Sequence, residues 1–264
     1  MTLLSISHVT RRFAGLTALE DVSFDVEPDE VVGLIGPNGA GKSTLINLIT
    51  GITPPSSGDI RLRGESLLGV KPHLIARKGI GRTFQHIHLF DELSVLENVM
   101  VGFDSRMTAG YAATVLGLRS VWREEAQVRE KAMEILGRVD EKLLAQCSAL
   151  ARELPYADKR RLEIARALAT GPSLLLLDEP AAGMAPQEIG ALADDLRRLN
   201  REGMAVIVIE HKMRLIEGVT DKVIVLDHGR KIFEGSFDLV KRNPDVIEAY
   251  LGRNYADVAV AQAS

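Results

Sequence analysis

The sequence has a single cysteine, Cys147, in 264 residues, so no internal disulfide can form and nothing points to a secreted, cystine-stapled scaffold. Long hydrophobic runs are missing as well. A membrane-spanning helix needs about 18 or more predominantly apolar residues in succession. The longest runs here, Leu174–Leu177 and Met204–Ile209, fall far short. Met1 to Phe13 reaches His8, Arg11 and Arg12 too soon to hold the apolar region of an export signal, so the default expectation is a cytoplasmic protein. Neither charge sign dominates: Lys plus Arg is 32 and Asp plus Glu is 36, a formal charge of −4, which argues against a general nucleic-acid surface. Internal repeats and long low-complexity segments are also absent. The remainder is ordinary, 46% hydrophobic and 26% charged, which excludes disorder, collagen-like and coiled-coil classes for the whole chain. At about 150 residues per domain, the length allows one large or two small domains.

The first thirty residues read as strands. Leu4, Ile6 and His8 alternate with Ser5 and Ser7, and Val22, Phe24 and Val26 alternate with Ser23 and Asp25. Val31-Val32-Gly33-Leu34-Ile35 is a nearly continuous apolar run, which fits a buried parallel strand. A glycine-rich loop follows, then helical spacing over Leu45 to Ile49, and Asp59 to Arg63 alternates as if completing an antiparallel sheet with the N-terminal strands. From about 91 to 155 the character changes to helix. Ser94 precedes Glu97 by three, a capping-box spacing, with Val95, Leu96, Val99 and Met100 on one face behind it. Trp122 to Leu150 continues with near-helical periodicity. Strand–helix alternation then returns: Ser173–Leu177 a strand, Gln187–Asn200 an amphipathic helix, Ala205–Ile209 and Val223–Leu226 strands, Lys231–Phe233 a final hairpin strand, Pro244 to Leu251 a last helix, and Arg253 to Ser264 a frayed tail. The expected class is α/β with a mostly parallel sheet core, an antiparallel β part and a helical insertion.

Two motifs carry chemistry. Gly36-Pro37-Asn38-Gly39-Ala40-Gly41-Lys42-Ser43-Thr44 matches G-x-x-x-x-G-K-[ST] between an apolar strand and a helix. Glycines let the backbone curl so that N–H groups point at phosphate oxygens, and the following helix adds its positive end. Lys42 is expected to reach the β and γ phosphates, and the Ser43 hydroxyl to ligate magnesium. Downstream, Leu174-Leu175-Leu176-Leu177 ends in Asp178-Glu179-Pro180, which places two carboxylates at the edge where open α/β sheets bind ligands. Asp178 is expected to hold Mg²⁺, and Glu179 to polarise the attacking water.

With these motifs in this order, the chain resembles the nucleotide-binding subunits of ATP-binding cassette (ABC) transporters, over nearly its whole length. The resemblance implies a phosphate-loop NTPase of the ABC type, residues 1–252 forming one ATPase domain with a helical subdomain inserted at about 90–165 and 253–264 a flexible tail. It implies that Phe13 stacks on adenine, the plain alternative being a strand-end aromatic. It implies that Gln85, in Thr83-Phe84-Gln85, touches magnesium and the attacking water, and that His211 contacts the γ-phosphate. Ala181-Ala182-Gly183-Met184 falls at the family's dimer-contact loop. The family's Leu-Ser-Gly-Gly-Gln signature is replaced by Leu154-Pro155-Tyr156-Ala157-Asp158, and the resemblance makes Tyr156 and Ala157 contacts to a partner subunit's ATP. Asp158 brings a negative charge there, to be offset by Lys159 or Arg160.

Leu154-Pro155-Tyr156, Arg160 through Leu168, Glu179 through Met184 and Val246 through Gly252 are similar in wording to one branch, the ATP-binding subunits of branched-chain amino acid importers. That likeness implies a second cassette, identical or different, two integral membrane permease subunits and, indirectly, a periplasmic solute-binding protein. It also implies a peripheral position on the cytoplasmic face of the inner membrane, and no nucleic acid. Urea, amide or other solutes, a non-transport cassette and a regulatory module with weak turnover are the alternatives. Among weaker signals, Arg160-Arg161 and Arg197-Arg198 read as solvated pairs, His86 and His88 as exposed loop residues, Cys147 as packing, and Met107 to Gly117 as a flexible stretch touching a partner.

Overall fold

The computed structural model describes residues 2–103 and 119–251, so Met107 to Gly117 and the tail after 251 lie outside the described residues. The order begins β1 (Leu4–Phe13), β2 (Leu16–Val26), β3 (Val31–Ile35), α1 (Lys42–Ile49), β4 (Ser57–Leu62), β5 (Glu65–Ser66), α2 (Pro72–Arg77) and β6 (Ile80–Arg82). Helices α3 (Val95–Val101), α4 (Arg119–Val139), α5 (Glu141–Ala145) and α6 (Tyr156–Ala169) follow. The chain then runs β7 (Leu174–Asp178), α7 (Pro186–Arg201), β8 (Ala205–Ile209), α8 (Met213–Val219), β9 (Lys222–Asp227), β10 (Arg230–Gly235), α9 (Phe237–Val240) and α10 (Pro244–Leu251).

Two sheets form. One is antiparallel, in the order β2-β1-β4-β5; the other runs β10-β9-β3-β8-β7-β6, parallel except for β10. Every residue of β3, β7 and β8 is buried, which is why these strands read as continuous apolar runs rather than alternating ones. Their period of two is still at work, because it divides the core. Ile35, Leu175, Leu177, Val206 and Val208 face α6, α7 and the inserted helices. Leu34, Leu174, Leu176, Ile207 and Ile209 face α1 and the antiparallel sheet.

The alternation at the N-terminus fails at one place. The register of β1 slips between Ile6 and Val9, with His8 at a φ of 51°, so Val9 rather than His8 takes the inward position. His8 points outward and pairs with Asp21 at 2.7 Å. The capping box forms as its spacing predicts: Glu97 N–H donates to Ser94 Oγ and Ser94 N–H to Glu97 Oε2, starting α3.

The Arg160-Arg161 pair is not solvated. Arg160 is fully buried and Arg161 nearly so. Arg161 lies 3.0 Å from Asp195 of α7, 3.2 Å from Asp158 and 3.5 Å from Asp140, the residue that caps α5. Arg161 therefore neutralises Asp158, in place of Lys159 or Arg160, because one turn of helix brings residues 158 and 161 to the same face. Arg197 and Arg198 are exposed, and Arg198 also donates to the Val139 carbonyl at the end of α4.

Candidate functional site

The parallel strands bring their carboxyl ends level. Leu34 of β3 and Asp178 of β7 both pair with Ile209 of β8, so the segments after 35, 178 and 209 meet at one edge of the sheet. The first of these is the loop 36–41. Gly36 has a φ of 148°, and a Cβ there would lie 2.1 Å from the Leu226 carbonyl oxygen; at Gly41, φ 103°, it would lie 2.7 Å from that of Ala18. Only glycine fits either position, which gives the motif's fixed residues a steric reason. Helix α1 opens at Lys42, whose Nζ donates to the carbonyls of Gly36 at 2.7 Å and Pro37 at 3.0 Å. Burial pulls the ammonium below its ordinary pKa, opposed by the charges of Glu179 and Asp178.

A cleft of about 560 Å³ lies over this loop. Phe13, Asn38, Gly39, Ala40, Gly41, Lys42, Ser43, Thr44, Gln85, Glu179 and His211 all line it. Phe13 stands at the end of β1, 42% exposed, with the Arg11 guanidinium carbon 4.3 Å from its ring centroid. Asp178 does not line the cleft; it is buried next to Glu179, near enough to Lys42 for their charges to interact, with Arg82 3.5 Å away. Burial raises the Asp178 carboxyl above the usual range, and Arg82 opposes that rise.

Glu179 lies at the centre of the polar groups. Its φ is 49°, a left-handed conformation uncommon outside glycine, and its N–H donates to the Ile209 carbonyl at 2.9 Å. One carboxylate oxygen accepts from Gln85 Nε2 at 3.2 Å; the other lies 3.0 Å from His211 Nε2. With Glu179 ionised, that ring nitrogen carries the proton and donates. Two residues from separate chain segments, Gln85 and His211, thus hold one carboxylate by both oxygens.

Tyr156 and Ala157 do not line this cleft. They form the first turn of α6, where Ala157 is buried and Tyr156 is exposed with its ring against Gly183. Sequence reasoning missed three neighbours of the cleft. Arg82 sits on the last position of β6, and no motif pointed to it. His228 lines the cleft beside Gly229. Glu210, 2% exposed, accepts the N–H groups of Ala181 at 2.8 Å, His211 at 2.8 Å and Lys212 at 2.9 Å, and so ties the turn after β7 to the turn after β8. The available signal was the one that revealed Asp178 and Glu179: an acid ending a buried apolar strand.

The donors at the cleft suit a hard divalent cation: a hydroxyl, an amide and carboxylates, one of them buried with its charge only partly met. A phosphate-gripping loop, a buried carboxylate beside it and a doubly held glutamate at the sheet's carboxyl edge define a nucleotide-hydrolysing α/β protein of the phosphate-loop class. Comparison with known proteins narrows the class. Residues 19–182 match the family described as "ABC transporter", and residues 230–256 match "Branched-chain amino acid ATP-binding cassette transporter". The chain is 41% identical over 251 residues to the "High-affinity branched-chain amino acid transport ATP-binding protein LivG" of Escherichia coli K12, covering 95% of this chain and 98% of that one. The same figures hold for the corresponding protein BraF of Pseudomonas aeruginosa. A crystal structure of an ATP-binding cassette of an ABC transporter in its ADP conformation superposes with a TM-score of 0.82 at 31% identity, over 96% of this chain and 99% of that one. The chain belongs to the ABC transporter family, as one of its ATP-binding, ATP-hydrolysing cassettes.

Proposed function

We propose that this cassette binds Mg-ATP in the cleft over Gly36–Thr44 and energises an importer of branched-chain or other hydrophobic amino acids. The observation that carries the catalytic reading is Glu179, held by Gln85 on one oxygen and His211 on the other at the rim of the phosphate loop. The loop's N–H groups and Lys42 hold the phosphates, and Phe13 takes the adenine. Ser43, Asp178 and Gln85 hold Mg²⁺, which when bound neutralises phosphate charge. Glu179 orients a water for in-line attack on the γ-phosphorus and accepts its proton as the bond to the β–γ bridging oxygen breaks and ADP leaves with that oxygen, while Gln85 and His211 fix the carboxylate. His211 and Lys42 then face the charge that develops on the transferred group.

Residues 1–252 act as one ATPase domain with the helical part at about 90–165 inserted. Two cassettes close head to tail, Tyr156 and Ala157 of one meeting the nucleotide of the other. Asp158 is compatible with that role because Arg161 holds its charge at 3.2 Å, which favours turnover over a purely regulatory module. Two membrane permease subunits form the pore and a periplasmic binding protein delivers the solute. No helix among the described residues is long and apolar enough to cross a membrane, which fits a subunit resting on the cytoplasmic face. The amino acid class rests on the likeness to the branched-chain importers, including the match over 230–256. Reconstitution with permeases and binding protein, followed by uptake of labelled leucine against urea and short amides, tests the solute. For the site, Glu179→Gln is expected to lower phosphate release by about 10²–10⁴-fold with ATP binding retained. Unchanged release from that variant removes Glu179 from the role.

A further inference from the structure

The segment after β6, residues 83–90, carries Gln85 to the cleft. Beyond Thr83, whose N–H still reaches the Leu176 carbonyl, it pairs with no strand among the described residues, so the carbonyls of Phe84 and Gln85 need donors from elsewhere. Arg160 of α6 supplies them. Its guanidinium, with the side chain wholly buried, donates from Nη1 to the Phe84 carbonyl at 2.7 Å and from Nη2 to the Gln85 carbonyl at 2.8 Å. Nη1 also meets Glu163 Oε2 at 2.7 Å, and Glu163 Oε1 takes the Phe84 N–H at 3.5 Å. The pair therefore grips a carbonyl and an N–H of Phe84 and the carbonyl of Gln85, immediately before the side chain that reaches Glu179. A lone buried ion pair adds little to stability over apolar residues of similar size, so its cost needs another return. Arg160 Nε, moreover, has no hydrogen-bond partner among the described residues. The planar fork of an arginine matches two successive carbonyls in a way a lysine cannot.

We propose that Arg160 and Glu163 are positioning residues for Gln85: they hold the backbone of residues 84–85 so that Nε2 meets the Glu179 carboxylate. The pair sits on the helix whose first turn is Tyr156–Ala157, so a displacement of α6 moves Gln85 relative to Glu179. The proposal rests on the reading of Gln85 and Glu179 as groups of the hydrolytic site, and its test separates the two.

Removing Arg160 alone leaves the Glu163 charge buried, which puts folding at risk. The informative variant is the apolar double replacement Arg160→Met with Glu163→Leu, compared with Gln85→Ala and with the triple variant. Each is measured in the full chain for melting temperature, ATP affinity, and kcat and KM for ATP. The double variant is expected to fold with a lowered melting temperature, because the Phe84 and Gln85 carbonyls lose their donors, to keep its ATP affinity, to lose about tenfold to a hundredfold in kcat, and to make the further change Gln85→Ala nearly silent. Retention of parental kcat by the double variant, or full additivity with Gln85→Ala, overturns the positioning role. Parental kcat in Gln85→Ala alone overturns the reading of Gln85 itself. Arg160→Lys, which keeps the charge but not the fork, is expected to lose kcat like the double variant; full activity there also overturns the proposal.

Discussion

Lys42 shows how a single residue's surroundings set what it does. Its ammonium is buried and clasped by the carbonyls of Gly36 and Pro37, the two residues that open the loop it serves. Lys42→Ala is expected to abolish measurable ATP binding in a fluorescent-nucleotide titration. Burial also lowers the pKa of this lysine. The charged form is the one that attracts phosphate, so affinity should fall as pH rises through that depressed value, earlier than an ordinary lysine would allow; titrations from about pH 7 to 10 check the direction. Glu210 acts at the same scale without touching the cleft. It satisfies three backbone N–H groups from two turns, one of which carries His211. Glu210→Gln keeps the shape but replaces one accepting oxygen with a donor, leaving at least one N–H unmet in a buried place. The expected result is a kcat loss of about tenfold with ATP affinity little changed, since the phosphate loop lies on another segment.

At the scale of elements, boundaries followed chemistry that is local in sequence. The strand β7 and the helix α7 appear within a residue or two of where apolar runs and periodicity put them. The capping box at Ser94 starts α3 for the reason its spacing predicts. Ser94→Ala should cost about 1 kcal/mol in a denaturant melt, because Glu97 N–H loses its acceptor. Alternation read without tertiary context failed at His8, where a bulge lets Val9 fill the inward slot. It failed again at Arg160 and Arg161. A basic pair looks the same on a solvated face and in a buried network, and only the approach of residues 84–85 and of Asp195 distinguishes the two.

For the whole molecule, the arrangement divides labour between two faces. One cleft gathers Lys42, Gln85, Glu179 and His211, while Tyr156 and Ala157 stand apart on α6 and do not line it. On the proposed reading, in which Tyr156 and Ala157 meet a partner's nucleotide, a turn that lies outside its own cleft works only in a pair of cassettes. The Glu179→Gln chain is therefore expected to form dimers with Mg-ATP in sedimentation experiments and to remain monomeric with ADP. Dimers that form equally without nucleotide would remove ATP from the head-to-tail closure. The ion pairs of Arg161 with Asp195 and Asp140 join the inserted helices to α7, so the first turn of α6 and the core are mechanically linked.

Much of this protein was determined in the sequence alone. The phosphate loop is contiguous, its glycines are demanded by backbone sterics, and a strand that ends in Asp178-Glu179 is an apolar run followed by two acids. Such features need no knowledge of distant residues. Gln85 and His211 entered through likeness to a family rather than through chemistry of their own, because an isolated glutamine or histidine carries no signal. Only the tertiary structure decided that both reach the two oxygens of Glu179, that Arg160 rather than solvent meets the carbonyls beside Gln85, and that Arg161 takes up the charge of Asp158. The physical reason is that buried polar groups must find partners wherever the fold brings them, and around Glu179 those partners are far off in the chain, 32 residues to His211 and 94 to Gln85.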